Sequence, residues 1–174
     1  MALAVCLLFD RRGDLLIRNL WSRLEEHGIG TLQSHTHGHH VPHLSYAVLL
    51  EWDLDAVRQA VTTLPDGGGF TLSGQGAVVF PRGRVALAPA LPASVMARQE
   101  AVIRALSETG ALVHRHYLPG AWLPHVSLAT RAAAGDLRTV TGAVADAVPV
   151  PLPVDRAALI DSSTGELWPL PHVP

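Results

Sequence analysis

The chain opens on an unbroken apolar run from Met1 to Phe9, the pattern of a strand covered on both faces. A strand is predicted over Ala2 to Phe9. Leu16, Leu20 and Leu24 then recur every four residues until Gly28, which marks a helix and its stop. Pro42 biases the backbone before it toward extended geometry, so a strand is expected to begin at His43. Asp53 is placed to cap a helix carrying Leu54, Val57, Val61 and Leu64 on one face, and a strand from Phe70 to Phe80 follows.

The same order then recurs. Arg84 to Ala88 reads as a strand, and Val95, Val102, Ile103 and Leu106 mark a helix stopped near Gly110. A strand follows Pro124 from His125, and Asp136 precedes a helix with Leu137, Val140, Val144 and Val148. A strand from Val154 to Asp161 closes the series, and Glu166 to Leu170 can add a hairpin strand. The heptapeptides Val41-Pro-His-Leu-Ser-Tyr-Ala47 and Leu123-Pro-His-Val-Ser-Leu-Ala129 agree at four of seven positions. The chain therefore reads as two copies of strand, helix, strand, helix, strand, joined near Phe80 to Gly83. The plain alternative is one α/β domain with a coincidental local match.

Composition narrows the class. With 174 residues, 48% apolar and 16% charged, the chain buries a core as one domain or two small lobes and is not a disordered segment. No apolar run approaches the roughly 18 residues that span a bilayer, so no membrane partner is expected. The start has no basic region before it and no cleavage site after it, and reads as a strand rather than a signal peptide. Cys6 is the single cysteine and has no partner for an internal disulfide, which fits a cytoplasmic location. All 13 basic residues are arginine, and 15 acidic residues bring the charge to -2. Affinity for long double-stranded nucleic acid needs a clear positive excess, so a small anion or a nucleic-acid end is the better partner. A monomer is expected of a self-paired chain.

Ten histidines stand out. Strand alternation turns His43 and Ser45 to one side and Leu44 and Tyr46 to the other, and it does the same for His125 and Ser127. If a twofold brings the copies together, two imidazoles and two hydroxyls line one cleft. At neutral pH one ring can act as base and its neighbour as acid, while the hydroxyls donate to phosphate oxygens. No metal or other cofactor is needed. A serine nucleophile would want a G-x-S-x-G elbow, which is absent. A single His-x-Ser is usually an ordinary strand feature, and the second copy in matching surroundings reverses that weighting.

His43-Leu44-Ser45 and His125-Val126-Ser127, 82 residues apart, resemble the two H-x-T/S motifs of the 2H phosphoesterase superfamily. Leu123 to Ala129 is especially similar to its 2'-5' RNA ligase branch, and Phe80 to Leu87 resembles that family's segment between lobes. The resemblance implies metal-independent action on 2',3'-cyclic phosphodiesters at RNA ends or on small nucleotides, with ligation as the reverse reaction. It implies His43 and His125 as the catalytic pair and Ser45 and Ser127 as the phosphate holders. With the repeat, it predicts an α+β fold over 1–174 with two pseudo-twofold lobes, near 1–82 and 83–174. Each lobe is an antiparallel-rich sheet with helices on its outer face, and a central cleft lies between them.

The chain departs from the family pattern in three ways. Serine stands where threonine is usual, Tyr46 to Leu50 differ from the branch's continuation, and Thr130 displaces the arginine after the second motif to Arg131. A one-residue shift turns a side chain to the opposite face, which weakens Arg131 as a substrate contact. Tyr117 and Trp122 are candidates to stack a base or, equally, to cap the lobe interface. His35, His37, His39 and His40 read as a mobile loop at the cleft mouth rather than a metal site, since neither cysteine nor carboxylate accompanies them. His114 and His116 read likewise, and Cys6 as an inert core thiol. The rival functions are a non-catalytic module that binds phosphorylated nucleotide or RNA ends, and a histidine-loop metalloenzyme.

Overall fold

The computed structural model describes residues 2–174. The strand expected at the start is β1, Leu3–Phe9, buried along its whole length. Asp10 then caps α1, Arg11–Glu26, by accepting from the Gly13 amide at 2.7 Å. A two-residue strand β2, Gly30–Thr31, was not foreseen. β3, His43–Glu51, begins where Pro42 placed it, and Asp53 caps α2, Leu54–Thr62, by accepting from Ala56 at 2.8 Å. β4 runs Phe70–Phe80.

The second series is β5, Arg84–Ala90, α3, Ala93–Glu108, a short β6, Leu112–Val113, and β7, Val126–Arg131. α4, Leu137–Ala147, β8, Val150–Asp161, and the hairpin strand β9, Leu167–Pro169, complete the chain. Asp136 does not cap α4 through its side chain; its carboxylate accepts instead from the Ala133 amide. β8 starts four residues before the expected Val154, through Pro151 and Pro153. These prolines are tolerated because β1 ends at Phe9 opposite Val154, so on that side residues 150–153 have no ladder to break.

All strands form one antiparallel sheet, in the order β2-β7-β5-β4-β8-β1-β3-β6, with β9 added beside β8. Exchanging each strand of the first series with its counterpart in the second gives the same order read from the other end, with every neighbour pair kept. The repeat thus survives as a palindrome centred on the β4–β8 pair, where Leu72 faces Leu152. The series interleave, since β2 and β4 flank the β7–β5 pair and β8 and β6 flank the β1–β3 pair. Five strand spacings separate β3 from β7, about 24 Å in a flat sheet, yet Cα atoms of the two strands come within 8 Å. The sheet curls until its motif strands meet.

The four helices pack on one face in a single core that includes Ile17, Trp21, Val57, Val102, Leu106, Val140 and Val144. The opposite face of β1 carries Ala4, Cys6 and Leu8, packed with Ala158 and Ile160. Among the described residues no helix is long and apolar enough to cross a membrane.

Candidate active site

Both motif strands carry the same irregularity. Val5 faces Ala47 while Cys6 faces Ser45, so Tyr46 is an extra residue in β3. Val85 faces Ala129 while Ala86 faces Ser127, so Leu128 is extra in β7. Tyr46 and Leu128 are equivalent in the repeat, and each is a β-bulge just past the motif serine. Cross-strand pairing puts His43 beside Leu8 and Ser45 beside Cys6, on the face away from the helices. The bulge then turns both Tyr46 and Ala47 into the helical core and brings Val48 to the motif face.

The two histidines are tethered alike. His43 Nδ1 lies 2.7 Å from the Val41 carbonyl and His125 Nδ1 lies 2.8 Å from the Leu123 carbonyl. A carbonyl only accepts, so each Nδ1 carries a proton and each Nε2 is left for other chemistry. Their electrostatics differ. Burial opposes charge on His43, but the Cys6 sulfur and the Val41 carbonyl outweigh it and raise its pKa to about 9. Burial lowers the pKa of His125, the Leu123 carbonyl opposes this, and the charges of His43 and Arg84 lower it further. The rings are near enough for one to feel the other.

The backbone around the serines is clamped from outside the motifs. The Trp21 indole of α1 donates to the Ser127 carbonyl at 2.9 Å, and the Trp122 indole donates to the Ser45 carbonyl at 3.1 Å. Trp122 is buried with its ring edge-on to Tyr46, so it caps the interior and offers no platform to a base. Gln99 of α3, buried among apolar neighbours, donates to the carbonyls of Tyr46 and Tyr117. Tyr117 is half-buried, at the end of a 3-10 turn, Arg115–Tyr117. Burial raises the pKa of its hydroxyl to about 12.

A family model of the 2'-5' RNA ligase superfamily matches residues 16–166. The chain belongs to that superfamily. Among solved structures, a phosphoesterase is similar over 97% of this chain and 94% of its own, with 15% identity and a TM-score of 0.62. Escherichia coli LigT, crystallised with NADP+, matches over 97% and 93% at 15% identity and a TM-score of 0.57. Kluyveromyces marxianus Usb1 matches over 97% of both chains at 14% identity and a TM-score of 0.51. A search of curated proteins finds no match. The 2H-type recognition and the α+β fold class drawn from the motifs stand on these matches together with the antiparallel sheet and its four helices.

Within this 2'-5' RNA ligase superfamily chain the remaining candidates separate. Arg131 is exposed at the end of β7, opposite Gly30 of β2, with no hydrogen bond or ion pair to the motif residues. Sequence reasoning missed Phe80 and Arg84, which face each other across the β4–β5 hairpin; the Phe80 ring packs on His125 with centroids 4.9 Å apart. The signal was present in the Phe80 to Leu87 segment, but its register was not. Cys6 is buried on the motif face, its sulfur 3.7 Å from Ser45 Oγ, so it is a neighbour of the site rather than a remote core thiol.

His37 and His40 have ring centroids 4.0 Å apart, and burial with the charges of His37, His43 and His35 lowers the pKa of His40 to about 4. Among the described residues no group of three or more His, Cys, Asp or Glu is arranged to hold a metal ion. Two surface hollows, of about 790 and 450 Å³, lie along α1 and between α2 and α3. Neither is lined by a motif residue.

Proposed function

We propose that the chain is a phosphoesterase that hydrolyses 2',3'-cyclic phosphodiesters at RNA ends or on small nucleotides. The observation that supports this most is the matched pair of imidazoles, each fixed through Nδ1 by the carbonyl two residues before it. Membership in the 2'-5' RNA ligase superfamily agrees with it, as does the nucleotide that one structural neighbour carries.

The opposed pKa shifts divide the work. His125, held neutral, takes a proton from water through Nε2 as the water oxygen bonds to phosphorus. His43, held protonated, gives its Nε2 proton to the ribose oxygen as that P–O bond breaks. The hydroxyls of Ser45 and Ser127 donate to the non-bridging oxygens. After each turnover solvent returns the proton from His125 to His43. With a ribose hydroxyl replaced for water the same path gives a phosphodiester, which is ligation. This chemistry uses side chains alone.

The test is hydrolysis of nucleoside 2',3'-cyclic monophosphates and cyclic-phosphate RNA, followed by phosphorus NMR. His43→Ala and His125→Ala are each expected to lower the rate by about 10² to 10⁴. Absence of hydrolysis in the wild type, or full activity in both variants, overturns the reading. A chain that binds these ends without turnover would instead be the recognition module.

A further inference from the structure

The twofold relation between the halves breaks at one cation. On β1, Cys6 faces Ser45 and Ala4 lies two residues before it; on β5, Ala86 faces Ser127 and Arg84 lies two residues before it. Val85 and Leu87 enter the helical core, so alternation turns Arg84 to the motif face. Its cross-strand partner Phe80 is the residue that packs on His125. The guanidinium is exposed and makes no hydrogen bond or ion pair with any described residue. Its charge is felt by His125, Tyr117 and His114.

The segment on the β3 side is basic as well. The His114 amide donates to the Val48 carbonyl at 2.8 Å, which ties the Arg115–Tyr117 turn to the motif strand. The His114 and His116 rings lie 5.0 Å apart. No carboxylate occurs in residues 32–42 or 111–124, the two loops that lead into the motifs. Arg84 has no partner among the described residues, and a planar guanidinium suits a phosphate.

We propose that Arg84, together with His114 and the neighbouring His116, forms a second anion subsite for the phosphate on the 5' side of the terminal nucleoside. The favoured ligand is then an oligonucleotide end or a 5'-phosphorylated nucleotide rather than a bare nucleoside cyclic phosphate. This rests on reading His43 and His125 as the site of the cyclic phosphate.

Calorimetric titration with a nucleoside 2'-monophosphate and the matching 2',5'-bisphosphate tests it without turnover. The wild type is expected to bind the bisphosphate about tenfold more tightly, or better, as one charge-assisted contact provides. Arg84→Gln should bring that ratio close to one, Arg84→Lys should keep part of it, and both should unfold at the wild-type temperature. An unchanged ratio in Arg84→Gln, equal loss for both ligands, no preference in the wild type, or no binding of either ligand at millimolar concentration overturns the subsite. Hydrolysis measured on the same wild-type sample separates the readings: if cyclic phosphates are untouched while the bisphosphate preference depends on Arg84, the catalytic reading fails and the subsite stands.

Discussion

Replacing Gln99 with leucine tests whether the motif strand is held by a buried amide. Gln99 is 1% exposed, and its Nε2 donates to the Tyr46 carbonyl at 3.0 Å and the Tyr117 carbonyl at 2.8 Å. Tyr46 is the extra residue of the β3 bulge, and a bulged residue is left out of the ladder, so the amide supplies the partner that the ladder does not. Gln99→Leu keeps the volume and removes both donors. Each carbonyl loses about 1 to 2 kcal/mol, and burying leucine in place of the amide returns about 1 kcal/mol. The net expectation is a loss of about 1 to 3 kcal/mol, read as a lower urea midpoint at unchanged slope. Because Tyr46 follows Ser45 in the motif strand, kcat/KM for a cyclic nucleotide should also fall under fully folded conditions. A variant within about 0.5 kcal/mol of wild type, the range of ordinary surface changes, refutes the reasoning.

Three further predictions concern the titration of the histidine pair and the backbone at one glycine. The rate should rise as pH climbs through the lowered value of His125 and fall as it climbs through about 9, the raised value of His43; a narrow bell centred at the ordinary imidazole value in the kcat/KM profile refutes that division. The same shifts act on stability: the His43 contribution is complete below 6.5 and lost as pH rises through about 9, and the His125 contribution is complete above 6.5 and lost as pH falls through its lowered value. Thermal unfolding should therefore be most resistant near pH 6.5. Gly83 has φ +71, and a Cβ there would stand 2.1 Å from the Ala132 carbonyl oxygen, so Gly83→Ala should destabilise by about 2 kcal/mol or more, and an unshifted melting temperature would contradict it.

The hydrophobic pattern was enough to locate most elements, because each strand and helix announces itself over a few consecutive residues. His43, Ser45, His125 and Ser127 could be paired from sequence since the repeat supplied the twofold relation, and the palindromic strand order carries that relation into the sheet. Features that depend on register were out of reach. Whether Arg84 shares a face with Ser127 is decided by Ala86 pairing with Ser127, and neither strand encodes that alone. Arg131 was weakened as a contact by a one-residue shift, yet the bulge at Leu128, which resets the faces of the strand beyond Ser127, had no local signature. Gln99 did leave one: it is the polar residue on the apolar stripe of α3, four after Val95 and four before Ile103.

The repeat explains why the two motif strands meet, and it cannot explain why their histidines differ. Both heptapeptides give the same tether and the same bulge, and an indole from outside clamps each serine carbonyl, so any division into acid and base must come from other neighbours. The neighbouring strands supply it. Where β1 brings Cys6 beside Ser45, β5 brings Ala86 beside Ser127, and where β1 has Ala4, β5 has Arg84. The sulfur favours charge on His43, and the guanidinium disfavours it on His125. A Cys6→Ala, Arg84→Ala double variant removes both differences and should draw the two limbs of the pH profile together. Limbs that stay apart would mean that the asymmetry lies in burial alone.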